Sequence, residues 1–469
     1  MWDPESYTII ANLLPRLIGL IYFFAFSPFL FQIRGLIGSE GILPIKDFLA
    51  LVKTRYPRGY VWIAPTLFWW NASDKALIAL TAFGTCISLL LIGGFSPTFC
   101  LLMLFIIYLS IVSVGQEFLS FGWESFLLEI TFYTFWVSLT PVPNLMLWIS
   151  LNFLLFRFNI QAGAVKLQSG DINWRNLTGL AFHYLSQPLP NTQAWFVYKC
   201  PLVFHKASTL FMFFAELIVP FGLFFTDTIR AWTGFCLIGL QIIIWFTGNF
   251  SYLNHLTVVL SMIAFSNVYL SSVIEPVDYP ATPWIIDSGL TLIGAVFVLI
   301  QALRLYHHFW PRSDLNRFFS KFWYCHLFNR YGLFAVMTTE RIEIVIEGSQ
   351  DGENWEEYLC KYKPSEVTRR PRRISPFQPR LDWQLWFLPF DTFERERWFH
   401  LFLHHLLKGT PEVLKLLRYN PFPDKPPAYI RALMYDYQFS SFQEKKELGW
   451  WWRRTYLGPY SPTFSLKER

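Results

Sequence analysis

The chain is 469 residues long, 53% hydrophobic and 20% aromatic, with 15% charged side chains. That balance excludes an ordinary soluble globule, in which about 25% of residues are charged, and makes lipid the better solvent for much of the chain. The formal net charge of +6 is accompanied by no nucleic-acid-binding signature, so no nucleic-acid partner is expected.

The charge is unevenly placed. Residues 1–303 carry 13 Lys+Arg and 14 Asp+Glu, whereas residues 304–469 carry 26 and 19. Hydrocarbon tolerates few charges and water favours them, so the jump near Arg304 marks a change of solvent. The expected fold is an α-helical polytopic membrane domain over 1–303, followed by a soluble β-rich domain with a helical insert over 304–469.

A bilayer core of about 30 Å needs roughly 20 apolar residues per helix. About nine runs approach that length: 12–33, 76–95, 97–114, 124–140, 145–165, 207–226, 231–248, 254–273 and 284–303. The first lacks the basic flank and cleavage site of a removable signal, so it reads as a retained anchor. Two connections are long, 34–75 and 166–206, and both are rich in proline and aromatics. With nine spans these loops and the tail share one side with most of the Lys and Arg, which the positive-inside rule calls cytoplasmic. The sequons at Asn71, Asn176 and Asn249 fall on that same side and would oppose that reading if glycosylated.

Beyond Arg304 the pattern becomes alternation. Residues 341–347 read as a strand, 348–352 as a turn, and the segment through Trp355 and Tyr358 as its hairpin partner. Two short helices are expected in 394–418, broken at Gly409-Thr410-Pro411, and a long strand over 428–440.

No Gly-x-Gly-x-x-Gly, Walker loop, Gly-x-Ser-x-Gly elbow or His-Glu-x-x-His is present, which removes the common nucleotide, hydrolase and zinc-protease readings. His400 and His404 share a helix face without a placed third ligand, so no metal is expected, and no cofactor is called for. The basic run Arg369-Arg370-Pro371-Arg372-Arg373 fits a solvated loop, or contact with lipid head groups. Cys325 and Cys360 are free to pair in an oxidising lumen or to stay reduced.

The informative charges lie at membrane depth: Glu117, Glu124, Glu129, Arg157, Lys166 and Glu216. Charges there face a cavity, a partner or the interface. Lys166 follows the small residues Ala162-Gly163-Ala164-Val165, which let helices approach closely. A lysine desolvated there is a candidate base, or equally a structural partner for Glu124 or Glu129. The stretch after it holds Asp171, Trp174, Arg175, His183, Tyr184 and Gln187 among rigid prolines. A site facing this loop, with Trp123 across from it, is expected over a mere connector.

These residues carry a resemblance to the lipase maturation factors. The matching blocks are Gly115 to Ser125 running on to Glu129, Gly163 to Pro190, Tyr331 to Pro364 with Met337-Thr338-Thr339, and Gln378 to Phe387. The resemblance implies an endoplasmic-reticulum membrane protein, or a cytoplasmic-membrane protein in a bacterium, that helps dimeric secreted lipases fold. It also implies a lumenal tail, against the positive-inside reading. This chain departs from the family in having Gln161 where a glycine is expected, in a shorter C-terminus, and in ending Leu466-Lys467-Glu468-Arg469 without a KDEL-type signal. A shorter block, Gly163-Ala164-Val165-Lys166-Leu167, is similar to the membrane segment of vitamin K-dependent gamma-glutamyl carboxylases. That likeness implies the alternative of an enzyme with Lys166 as base on a quinone-like substrate. The tail hairpin 347–355 is similar to a turn in discoidin-type β-sandwiches.

The expectation is thus a membrane-embedded maturation factor, a chaperone rather than an enzyme. Its partners would be an immature secreted lipase or similar client and membrane lipids. Chaperone action needs exposed apolar surface, for which Trp383, Trp386, Trp450, Trp451 and Trp452 are the candidates, with a place in the tail's core the equal alternative.

Overall fold

A computed structural model describes residues 3–466. The segment Lys467–Arg469, where a retrieval signal would lie, falls outside the described residues. Up to Phe309 the chain is helical. Nine apolar helices stand out: α1 (Thr8–Leu30), α2 (Asp74–Ile92), α3 (Pro97–Val112), α4 (Gly122–Val137), α5 (Leu145–Gln168), then, after a short helix α6 (Gly179–Ser186), α7 (Leu202–Leu217), α8 (Asp227–Thr247), α9 (Leu253–Ser261) and α10 (Trp284–Phe309).

Their ends are set by local chemistry. Ser73 caps α2 by accepting from the Ala76 amide at 3.3 Å, and Asp74 adds a carboxylate to its first turn. Asn144 caps α5 by accepting from Met146 and Leu147, and its amide group donates to Asp287 Oδ1 at 2.7 Å, fixing the start of α5 to the start of α10.

Among the described residues, six helices are long and apolar enough to cross a membrane: Pro4–Leu30, Asp74–Ile92, Leu145–Gln168, Leu202–Phe224, Asp227–Thr247 and Trp284–Phe309. The expectation of nine spans overcounts by this measure. At 16 residues each, α3 and α4 are about 24 Å long, and α9 with its 3-10 extension to Ala264 is shorter still. The reason is that an apolar run reports exclusion from water, not which apolar phase excludes it. Most of α4 is packed inside protein, including Trp123, Glu124 and Glu129, and a protein-wrapped helix need not match the bilayer.

Helix direction alternates. One end of the helical region gathers Tyr7 with Asp227, Asn267 with Glu5, Asn12 with Pro141, and Thr98 with Ser138. The opposite end meets the tail, where Gln32, Phe118, Glu124 and Asn249 bond to residues 372–380.

The tail is built on a five-stranded antiparallel sheet of order β2-β1-β3-β4, with β5 also on β3: β1 (Ile342–Ser349), β2 (Glu356–Tyr358), β3 (Tyr429–Phe439), β4 (Trp452–Pro459) and β5 (Phe464–Ser465). The expected hairpin forms, with Ile346 opposite Tyr358. Its turn is held by Asp351, which accepts from the Glu353 and Asn354 amides at 2.9 and 2.8 Å. The helical insert comprises α11 (Arg380–Leu385) and α12 (Arg397–Lys408), the latter ended by Gly409 at φ 66°, a left-handed residue that favours glycine. The strand β4 was not expected. It begins in the Trp450-Trp451-Trp452 run, and Trp452 stacks within 4.6 Å of Phe439 on β3. The six cysteines are all free.

Candidate functional site

Charges at membrane depth are tolerable only when paired and hydrogen-bonded. Glu129 and Lys166 find their counter-charges within the helical region, Glu124 finds its own in the tail, and tail groups add hydrogen bonds to Glu129. Glu124, at the start of α4, has no exposed surface. Its Oε1 receives Arg380 Nη1 at 2.7 Å, and its Oε2 receives the Tyr252 hydroxyl at 2.5 Å and the Tyr108 hydroxyl. Arg380 Nη1 also donates to the Phe118 carbonyl at 2.8 Å, and its backbone N–H donates to Gln32 Oε1 at 2.9 Å. Beside it, Trp123 Nε1 donates to Gln378 Oε1 at 3.0 Å. The Gln378-Pro379-Arg380 segment thereby plugs into the helix ends.

One helical turn deeper, Glu129 forms a buried ion pair with Arg157 of α5. Glu129 Oε2 also receives the Tyr331 hydroxyl at 2.6 Å and Asn329 Nδ2 at 2.8 Å, while Arg157 Nη1 donates to the Asn329 carbonyl at 2.6 Å. Gln161, the departure from the family pattern, accepts from the Tyr331 amide at 3.1 Å.

The 166–206 loop is fixed by the same tail. Asp171 accepts from the Met337 amide at 2.6 Å, and Trp174 Nε1 donates to the Phe334 carbonyl at 3.0 Å. Arg341 donates to the carbonyls of Leu185 and Pro188 at 2.8 and 2.9 Å and forms a chain of ion pairs with Glu343 and Lys363. Trp386 Nε1 donates to the Ser186 carbonyl at 2.9 Å. Gln187 Nε2 donates to the Thr247 carbonyl at 2.9 Å, tying the loop back to α8.

Lys166 is paired, though with neither Glu124 nor Glu129, the partners weighed for it beside a role as base. Its ammonium, 4% exposed, donates to Glu216 Oε1 and Oε2 on α7 at 3.0 and 2.7 Å and to the Ala162 carbonyl at 2.9 Å. Gly163 permits this approach, since a Cβ there would lie 2.7 Å from Leu217 Cδ2 and 3.1 Å from Glu216 Cβ. All three ammonium hydrogens are thus committed, two of them to the ion pair with Glu216. The pair lines a cavity of about 500 Å3 shared with Trp174, His183 and Tyr184. Burial, and secondarily the Lys166 ammonium, push His183 down to about 4, so its imidazole is neutral near pH 7. A second cavity, also about 500 Å3, shares the Phe250, Leu253, Leu333 and Phe334 wall and is lined by Trp123, Trp383 and Trp386.

Other expected residues fall outside these networks. Glu117 and Arg175 are exposed. Among the aromatics proposed as client surface, Trp383, Trp451 and Trp452 are interior, and Trp386 and Trp450 are half-buried. Trp383 packs edge-on to Trp123 at 5.0 Å and Trp451 to Trp195 at 5.4 Å, so three of the five serve the core. Arg369 donates to the Cys360 carbonyl at 2.8 Å and Arg370 to Thr192 Oγ1 at 2.9 Å, placing the basic run against protein. His400 faces the Phe393 carbonyl at 2.8 Å. Among the described residues, no cluster of three His, Cys, Asp or Glu side chains is arranged to hold a metal. The sequence reading missed Asn329, Tyr331, Arg341, Glu343, Lys363 and Arg380. Each is an ordinary polar residue in a soluble-looking tail, and only the buried carboxylates waiting in the first half signalled that such partners must exist.

The arrangement defines a class: a membrane protein with several apolar helices whose C-terminal region is fastened to one end of them by the buried Glu124–Arg380 ion pair and by hydrogen bonds, and to the long loop between them by hydrogen bonds. A family model described as the lipase maturation factor transmembrane domain matches residues 9–272, and one described as the lipase maturation factor C-terminal domain matches residues 327–462. The chain belongs to the lipase maturation factor family. It is 32% identical to lipase maturation factor 1 of Bos taurus over 97% of this chain and 88% of that protein, and 33% identical to the Mus musculus protein of that name over 97% and 86%. It is 29% identical to lipase maturation factor 2 of Rattus norvegicus over 96% and 82%. No solved structure matches it.

Proposed function

We propose that this chain is a folding and maturation factor of the endoplasmic-reticulum membrane that assists assembly of secreted lipases. In this reading all nine apolar helices pass through the membrane, with α3, α4 and α9 wrapped by the longer ones. The tail and the 34–75 and 166–206 loops face the lumen together. The observation that carries the proposal is the family match across both regions, combined with the rivets that make loop and tail one rigid surface, as a platform for a client requires. Partly exposed Trp386 beside exposed Phe390, at the mouth of the second cavity, is the apolar contact we assign to the client. The alternative, Lys166 as a base on a quinone-like substrate, is not favoured, because its amine is committed to Glu216.

The test is lipase activity per unit of secreted lipase protein in cells lacking their own maturation factor, complemented with wild type or with Lys166→Ala at matched expression. Rescue by wild type supports the reading, and rescue by both makes the lysine structural. Failure of wild type, with the protein folded and in the right membrane, overturns it.

A further inference from the structure

The Lys166 cavity has features that client binding in the lumen does not use. Its mouth lies between α7 and α8, where Phe204, Phe211 and Ile243 are 45, 39 and 50% exposed. Both helices are apolar enough to span a membrane, so the medium outside that mouth is hydrocarbon. Its volume, about 500 Å3, falls within the roughly 300–1,000 Å3 of small-molecule sites.

The polar groups on its wall are uncharged or cancel. Lys166 and Glu216 neutralise each other with every ammonium hydrogen used, leaving no free charge to recruit an anion. What remains unpaired is neutral. Gln241 Oε1 accepts from Asn254 Nδ2 at 2.9 Å, which leaves Gln241 Nε2 as a donor without an acceptor among the described residues. Asn254 Oδ1 is buried without a partner. Tyr184 and His183 also line the cavity, the His183 ring held edge-on to Phe334 at 5.0 Å. Buried polar groups left unpaired are costly, and an apolar slot with convergent unpaired donors and acceptors is the form of a ligand site.

We propose that this cavity binds an uncharged acyl lipid entering from the bilayer between α7 and α8. Its hydrocarbon occupies the apolar wall, and its ester or hydroxyl oxygens meet Gln241, Tyr184 and His183. The site is independent of client contact and stands whether or not the client is a lipase.

The experiment uses the full chain in lipid nanodiscs with a diacylglycerol carrying a photoactivatable diazirine on one chain, followed by peptide mapping. Labelling is expected on residues 204–216 and 240–254. Unlabelled diacylglycerol should compete better than oleate by about tenfold, a difference of the size one buried hydrogen-bonded or charged contact confers. Ala207→Trp, at the exposed mouth, should abolish most labelling, with Ser208→Phe on the same wall as the second variant if the first is not monodisperse. Glu216→Gln, which frees Lys166, should shift the preference toward oleate. Labelling spread evenly over all lipid-facing helices would show annular lipid only and overturn the proposal. Oleate preferred by wild type, or full labelling in the folded mouth variants, would overturn it as well.

Discussion

Replacing Arg380 with methionine removes the cation that Glu124 faces while keeping most of the side-chain volume. The carboxylate is then left with two tyrosine hydroxyls in a site with no exposed surface, and the Phe118 carbonyl loses its donor. Breaking a buried pair from one side costs about 3–5 kcal/mol, because the surviving charge is uncompensated. Glu124→Gln should cost less, since a neutral amide needs only hydrogen bonds. The double variant should be more stable than Arg380→Met alone, because the orphaned charge is gone. Thermal unfolding of the purified protein, followed by loss of monodispersity after heating, should show Arg380→Met lowered by about 3–5 °C, with the double variant recovering at least half. A loss of about 1 kcal/mol or less for Arg380→Met, or strictly additive effects in the double, would refute the view that this pair is a desolvated rivet.

Gly163→Val should push α7 from α5 and split the Lys166–Glu216 pair, costing about 1–3 kcal/mol, measured by the same assay. Asn71 and Asn176 are exposed, whereas Asn249 is buried with its amide donating to Leu189 and Arg372. Expression in mammalian cells with glycosidase digestion should therefore show glycan at the first two and none at the third, and absence of glycan from both exposed sites would place that face in the cytoplasm. His183 and His326 are each pushed down from 6.5 to about 4, chiefly by burial. The folded state thus resists protonation that the unfolded chain accepts below about 6.5. Stability is complete above that pH and falls as the pH drops toward 4, by at most roughly 3 kcal/mol per residue. Denaturation midpoints between pH 7.5 and 4.5 should fall accordingly, and less steeply in His183→Phe.

Membrane character, the tail hairpin and β3 were legible because each rests on a local pattern, apolar length or alternation. At α3, α4 and α9 apolar content and length part company, because these helices are shorter than an unaided span and much of their apolar surface is packed inside the helical region. The partner of Lys166 was not legible, because Glu124, Glu129 and Glu216 lie at similar distances from it in sequence and only the packing of α7 on α5 selects Glu216. Arg341 and Arg380 were invisible as site residues, since nothing local distinguishes a buried arginine from a solvated one. The buried carboxylates announced that counter-charges were needed but could not say which. The Trp450–Trp452 run misled in the other direction, because a strand start in a two-layer packing looks like an exposed aromatic cluster until its neighbours are known.

The rivets also have a temporal meaning. Glu124 and Glu129 are synthesised about two hundred residues or more before Arg380, Asn329 and Tyr331, which complete their surroundings. Until residues 329–380 have been made, Glu129 has only Arg157 as its charged partner and Glu124 only the Tyr108 and Tyr252 hydroxyls. A chain stopped short of residue 380 would leave Glu124 without its counter-ion, a defect that quality control could sense long before any client is met.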